Sequence, residues 1–408
     1  MTRSRGDTLL LACIAGMAIA NNYAIQPALT DVAAHLGVPI SVIGLVPTAA
    51  LAGCMTGFAL LLPLTDHLAP NRLVAGQLTL LAAALILAAT APGAGVLLTA
   101  YLLIGAAASV AAQAGSIVGR HAPPARRATG VATVAAGMSA GILLSRLAGG
   151  TLADILGWRQ MLLVFAALAL LGAIAAGTLL PRQRPHPRHG YLATLRSLPP
   201  LLRRHPQLRR AVTTGGLWYF AFNLIWVTLT LRLAQPPYSL SPSAIGLYGL
   251  AGVLGFAVLP LTGRLTDRYA PGTVITVAML AAAAGTALLG AGLGAPLLTT
   301  LGLALFDAGC FAAQAANQSQ VIAIDPERSG SLSSVYLVLY FIAGAFGTAL
   351  AAPALETLGW RGTTLTALAA LLLAGLLGRT GTRQPRRVMT FSEGHHASCS
   401  QKSQAEGS

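Results

Sequence analysis

The sequence predicts an all-α membrane protein in which twelve transmembrane helices form two pseudo-symmetric six-helix bundles. Composition is the first observation: the 408 residues have a mean hydropathy of +0.70 and only 9% charged side chains, whereas an average soluble domain carries about 25%. Apolar runs of about 20 residues, each long enough to cross a bilayer as a helix, follow one another along the chain. The third observation is a repeat of polar residues at an offset of about 201 residues.

Helices are the expected spanning elements because every backbone polar group in lipid must be satisfied within its own segment. The predicted spans are 8–30, 41–62, 73–92, 95–119, 128–153, 160–181, 211–234, 243–263, 273–292, 295–319, 330–353 and 362–379. We therefore expect an N-terminal bundle at 1–181, a basic cytoplasmic linker at 182–210, a C-terminal bundle at 211–379 and a disordered cytoplasmic tail at 380–408.

The net charge of +15 does not predict nucleic-acid binding, because the arginines concentrate in loops on one side of the predicted membrane. The positive-inside rule then places both termini in the cytoplasm. The stretch 191–210 is either a basic amphipathic helix on the membrane surface or a solvated linker. The four cysteines show neither a CxxC pair nor a framework spacing, so no disulfide scaffold and no metal site are predicted.

The repeat consists of ordered matches, each at the same place in its six-helix half. The matching pairs are Asn22 with Asn223, Gln113 with Gln314, and Gly157-Trp158-Arg159 with Gly359-Trp360-Arg361. Two halves in the same orientation must be related by an axis along the membrane normal. Transporters built in this way bind substrate between the halves near the midplane, so the repeat predicts transport.

Two loops that repeat at the same offset are similar to the sequence signature of a known family. They span 63–73 and 263–272 and contain Asp66 and Asp267. The chain here resembles the major facilitator superfamily, whose loop between helices two and three reads G-x-L-a-D-r-x-G-r-[RK]. The second copy keeps Gly263, Leu265, Asp267 and Arg268, whereas the first keeps only Leu64 and Asp66. The stretches 21–27 and 63–66 are similar to a bacterial twelve-helix branch of that family associated with efflux.

The resemblance implies a cytoplasmic gate formed by Asp66, Arg72, Asp267 and Arg268. In the family fold, the first aspartate faces the cytoplasmic start of helix eleven and the second faces helix five. A carboxylate at a helix N-terminus is stabilised by the helix dipole. Because this contact exists only when the cytoplasmic side is closed, both aspartates are expected to favour the outward-open state; the alternative is that they are solvated loop residues.

Two charged residues fall inside predicted spans. Asp307 lies near the middle of the tenth span, where a charge costs at least ~2.5 kcal/mol. It is the candidate for proton coupling, and the alternative is a structural ion pair or hydrogen bond. Arg146 in the fifth span either binds an anionic substrate or pairs with a buried acid. It stands where the family's antiporters often have a glycine–proline pair.

Eight uncharged residues are candidates for the substrate cavity, because they fall in helices that line the centre of the family fold. Polar and aromatic groups without fixed charge suit a moderately apolar organic molecule. The alternative role is interhelical hydrogen bonding. The candidates are Asn22, Tyr23, Gln26, Gln113, Tyr219, Asn223, Trp226 and Gln314.

The sequence contains no Walker loop and no catalytic constellation, so neither an enzyme nor a cofactor is predicted. We expect a monomeric secondary-active carrier in the lipid bilayer that exports a small organic compound in exchange for protons by alternating access. The alternative is proton-coupled or facilitated uptake of a small organic nutrient. A third hypothesis, a transport-dead membrane sensor, would need an output domain.

Overall fold

The computed structural model describes residues 4–121, 127–180, 182, 200–252, 269–325 and 329–379, which are almost entirely helical. The principal helices are α1 (Ser4–Ala20), α2 (Leu29–Leu36), α3 (Ile40–Ile43), α4 (Val46–Leu60), α5 (Pro70–Ala89), α6 (Ala94–Ala108), α7 (Val110–His121), α8 (Arg127–Leu156), α9 (Trp158–Leu179), α10 (Pro206–Ala234), α11 (Pro242–Leu247), α12 (Pro271–Ala291), α13 (Pro296–Ile324) and α14 (Ser329–Arg379). The described residues contain no strand, and the predicted all-α class is confirmed.

Nine helices in the described part of the chain are long and apolar enough to cross a membrane. The longest, α14, contains two predicted spans, separated at Gly359, where φ is 64°. The first predicted span corresponds to the shorter α1, and the eighth is described only as far as residue 252. The predicted linker is partly helical, since α10 already begins at Pro206, while 183–199 and 380–408 lie outside the described residues. The boundaries proposed for the two bundles remain predictions.

The repeated Gly-Trp-Arg corners show how the two halves reproduce one plan. Gly157 and Gly359 both have positive φ, 86° and 64°, which glycine adopts without steric cost. In the first half, the Arg159 guanidinium donates to two backbone carbonyls at the end of α5. In the second half, the Trp360 indole donates to a carbonyl near the end of α12, at 2.8 Å. Each corner therefore donates to carbonyls near the C-terminal end of the third predicted span of its half, with a different side chain.

Close backbone contacts fix α8, the helix that contains Arg146, against its neighbours. Gly137 and Gly141 lie directly against the backbone of α1, where a side chain would collide with main-chain atoms. One turn beyond Arg146, Gly150 faces the backbone at the start of α11, and Gly246 of α11 faces the Arg146 carbonyl. Small residues allow such approaches between membrane helices. The two halves are thus in direct contact along α8 and α11.

Candidate substrate site

The first span is interrupted where its polar candidates lie. α1 ends at Ala20, residues 21–25 form turns, and a short 3₁₀ helix follows at Gln26–Ala28. The amides of Tyr23 and Gln26 bond to carbonyls three residues earlier, both at 3.0 Å. Pro27 has no amide hydrogen to offer a helix. Irregular backbone at membrane depth is tolerated where it is buried in protein or lines a cavity, and this break is buried between α8 and α10.

Arg146 projects from α8 to this break and is 2% exposed. Its Nε donates to the Gln26 side-chain oxygen at 3.2 Å. The guanidinium carbon lies 4.0 Å from the centre of the Trp226 ring and 5.0 Å from that of Tyr23. Nη2 is buried without a hydrogen-bond partner. The guanidinium charge is therefore surrounded by two aromatic faces and one amide oxygen.

Asp307 reaches the same centre from α13 and is 1% exposed. Its Oδ1 accepts a hydrogen bond from the Trp226 indole N–H at 3.0 Å, and a Cβ placed on Gly252 would lie 2.8 Å from Oδ2. Both Arg146 and Asp307 are described residues, and no ion pair joins them. Trp226 instead contacts both charges, the guanidinium with its ring face and the carboxylate with its N–H.

Aromatic side chains extend the centre across the junction of the halves. The hydroxyls of Tyr23 and Tyr219 lie 3.2 Å apart, and the Tyr219 ring stacks on Tyr340 with centroids separated by 3.8 Å. Asn223 donates to the Tyr219 carbonyl at 2.8 Å, and Asn22 donates to the Cys54 sulfur at 3.1 Å. Tyr340 of α14 was not among the candidates predicted from the sequence.

The two glutamine candidates lie within their own halves. Gln113 accepts from Gln77 at 2.9 Å and donates to the Leu61 carbonyl at 2.9 Å, which connects α7 to α5 and α4. Gln314 accepts from the Tyr336 hydroxyl at 2.9 Å, which connects α13 to α14. These contacts correspond to the interhelical role that the sequence left open for both residues.

The halves also meet on the membrane side opposite the 182–210 linker, which we call the far side. The hydroxyls of Thr48 on α4 and Thr348 on α14 lie 2.7 Å apart. The Asp154 carboxylate at the end of α8 accepts from the Ser243 backbone N–H at 2.9 Å. Partial burial and the neighbouring Asp154 charge raise the pKa of Asp31. The halves are packed together on the far side.

The predicted gate lies on the other membrane side, which we call the linker side. Asp66 is the last residue of a 3₁₀ helix, Leu62–Asp66. Arg72 lies exposed in the first turn of α5. With Arg182 it lines a small cavity of about 280 Å³. Asp267 and Arg268 lie outside the described residues, so the gate stays a prediction.

Two helical bundles with a buried polar centre between them form the architecture of an integral, multi-pass membrane transporter. The chain belongs to the Major Facilitator Superfamily, whose model matches residues 11–348. The resemblance noted in the sequence is thereby confirmed.

Relatives with similar sequences are named as transporters. The chain is 29% identical over 369 residues to the "Uncharacterized transporter YgaY" of Escherichia coli O157:H7, covering 90% of this chain and 93% of that one. It is 32% identical over 368 residues to the "Probable transporter SCO4007" of Streptomyces coelicolor, covering 89% and 85%. A solved structure of a bacterial homologue of the lysosomal transporter Spinster, inward-facing and unoccupied, has a TM-score of 0.73 at 15% identity and covers 94% of this chain and 98% of that chain. At that identity the likeness shows the fold.

Proposed function

We propose that the chain is a secondary-active carrier that moves a small organic compound across the bacterial inner membrane, coupled to protons. The observation that carries this proposal is the pair of buried charges, Arg146 and Asp307, held at the junction of the halves by Trp226. Charged residues inside a membrane are costly and mark substrate or proton pathways. Asp307 is the coupling carboxylate, because it can exist in two protonation states at the place where substrate would bind.

The contacts between the halves support alternating access. On the far side, α8 packs against α11 and α4 against α14, so a substrate approaching from there reaches the centre only after the halves separate. A ligand shifts such an equilibrium by the difference in its affinity for the two states. Side chains from both halves contact Trp226, and their contacts must therefore change when the halves rock.

Two directions of transport are candidates. Similarity to an efflux-associated branch favours export in exchange for protons, as a monomer with both termini in the cytoplasm. Proton-coupled or facilitated uptake is the second candidate. In export by exchange, protons move opposite to the substrate; in proton-coupled uptake they move with it, and in facilitated uptake no protons move. Proton flux therefore distinguishes these directions and modes.

The test is proton flux in proteoliposomes loaded with a pH-sensitive dye, to which pools of small organic compounds are added. We expect at least one pool to drive proton movement in the wild type and the Asp307→Asn variant to lose it by at least about tenfold, the change given by 1.4 kcal/mol. Glu356→Gln is the matched control, because Glu356 is an exposed carboxylate away from the centre, and it should retain the flux.

Two outcomes would contradict the proposal. If compounds move and protons do not, the carrier is a uniporter and Asp307 binds substrate or holds structure. If Asp307→Asn keeps full substrate-driven proton flux, another group carries the proton.

A further inference from the structure

We propose that Arg146 binds the carboxylate of a small organic anion, and that this anion and a proton on Asp307 occupy the centre together. The inference rests on the proposed carrier function and names the chemical class of its substrate. It also predicts that substrate and proton cross the membrane in the same direction, and not in exchange for each other.

Arg146 has N–H donors that no described residue accepts from. A guanidinium carries five N–H groups, and among the described residues only Nε has a hydrogen-bond partner, the Gln26 oxygen. Nη2 is buried and unpaired. A buried charge without a partner is strongly unfavourable, and the planar edge of a guanidinium matches a carboxylate through two parallel hydrogen bonds. The unpaired Nη edge is therefore suited to an anionic ligand.

Asp307 does not supply the hydrogen-bond partner that the Nη atoms of Arg146 lack. The Trp226 N–H holds one carboxylate oxygen of Asp307, while the indole face covers the guanidinium at 4.0 Å. The aromatic faces of Trp226 and Tyr23 stabilise the cation from its sides and leave the hydrogen-bonding edge free. The stacked rings of Tyr219 and Tyr340 nearby offer an apolar surface for the body of the ligand.

The charge balance of the centre links anion binding to protonation of Asp307. The groups that face Asp307 are the Arg146 guanidinium from α8, the Trp226 N–H from α10 and the Cys310 thiol on its own helix. With Asp307 ionised, the centre of Arg146 and Asp307 is neutral, and a bound anion would add one uncompensated negative charge. A nearby like charge disfavours the ionised carboxyl, and a proton on Asp307 restores neutrality. Anion and proton therefore favour each other's binding, and this coupling is reciprocal.

Joint binding of the anion and the proton has a consequence for the direction of transport. In an exchanger, substrate and proton compete for the centre and cross in opposite directions. Here they bind together, so they cross together, and the electrical charge of the anion is cancelled by the proton. The centre thus favours the second candidate direction of the previous section, uptake when the proton gradient points inward.

The experiment measures ligand binding to the purified full chain through its thermal unfolding temperature. The probes are aromatic and aliphatic carboxylates, including benzoate and butanoate, each paired with its uncharged primary amide and its amine. We expect carboxylates to stabilise the wild type while the amides and amines do not. Arg146→Gln should weaken carboxylate binding at least tenfold. Arg361→Gln, the same change at an exposed far-side position, should leave it unchanged.

If Arg146→Gln does not fold, the same binding measurement can be made with Arg146→Lys. It keeps the charge and loses the planar fork, so we expect intermediate affinity for the same carboxylates. The anion class is wrong if no carboxylate stabilises the wild type, if only amides or amines bind, or if carboxylate binding is unchanged in the variant that folds.

A pH series tests co-occupation. Carboxylate affinity of the wild type should fall as pH rises from about 6 to about 9, by at most about tenfold per pH unit for one linked proton. In Asp307→Asn it should stay flat. Affinity that rises with pH, or that is flat in the wild type, overturns co-occupation. Carboxylate binding without any transport in proteoliposomes would instead contradict the carrier function, and transport of a neutral compound alone would contradict only the anion.

Discussion

Arg146 contributes a full charge to the middle of the protein and receives only partial compensation from its neighbours. Its charge and that of Asp307 are visible in the sequence, because each interrupts an apolar span. The sequence does not show that one tryptophan connects the two residues: the Trp226 ring face contacts Arg146, and the Trp226 N–H donates to Asp307. Tyr340 was not predicted, because a tyrosine in an apolar stretch does not show which helix it will face. Side-chain geometry across three helices follows from packing, which spacing along the chain does not encode.

Substituting Gln26 by glutamate tests the electrostatics of the centre. The change is isosteric and places a carboxylate oxygen where the amide oxygen now lies 3.2 Å from Arg146 Nε. An internal partner for the buried guanidinium should stabilise the fold, by a Tm rise of about 1 °C for each kcal/mol, as expected for a chain of this length. It should also abolish the stabilisation by carboxylates, because the internal anion competes with them. Gln26→Asn is the control, and a Gln26→Glu variant that binds carboxylates as the wild type does would contradict a ligand site at Arg146.

At the scale of elements, the spans were predictable and their interruptions were not. The first span was predicted as one segment, 8–30, because its apolar composition continues past Ala20. The helix nevertheless ends there. Pro27 has no N–H to donate to the residue 23 carbonyl, so a regular helix does not resume through this stretch, and the side chains of Asn22 and Gln26 bond to other helices. In the fifth span, Gly141 lies directly against the backbone of α1, and Gly150 lies against the start of α11 in the other half. The rotation of the helix about its axis decides which glycine faces the other half, and the sequence does not show that rotation.

The contact between α8 and α11 should control the opening of the far side. A Cβ on Gly246 would collide with the Arg146 backbone carbonyl, so Gly246→Val should push these helices apart. The measurement uses cysteines introduced by Thr48→Cys and Thr348→Cys, at positions where the native hydroxyls are 2.7 Å apart. These cysteines can form a disulfide only when the far side is closed. We expect slower cross-linking in Gly246→Val, by at least about fivefold for roughly 1 kcal/mol. Gly76→Val, at a helical glycine with open space around it, should cross-link as the parent does.

The whole molecule combines a symmetric scaffold with an asymmetric centre. The repeat predicted the two bundles because residues that terminate helices and connect them recur in both halves. Arg146 and Asp307 have no charged counterparts: the equivalent positions, at the offset of about 201, are Gly347 and Ala106. The first half therefore supplies the cation and the second half supplies the carboxylate and its tryptophan. Rocking one half against the other must change the distance between the two charges, which is how conformation and protonation become linked.

The predicted gate belongs to this scale, because it concerns the balance between the two open states. If Asp66 and Asp267 stabilise closure of the linker side, their replacement by asparagine should favour the state in which the far side is closed. Disulfide formation between Thr48→Cys and Thr348→Cys should then accelerate about two- to fivefold, as expected from a helix-dipole contact of about 0.3–1 kcal/mol. Asp154→Asn should slow disulfide formation, because it weakens the far-side hydrogen bond from the Ser243 N–H. Unchanged rates in both gate variants, with a slower rate in Asp154→Asn, would show that the reporter works and that Asp66 and Asp267 are solvated loop residues.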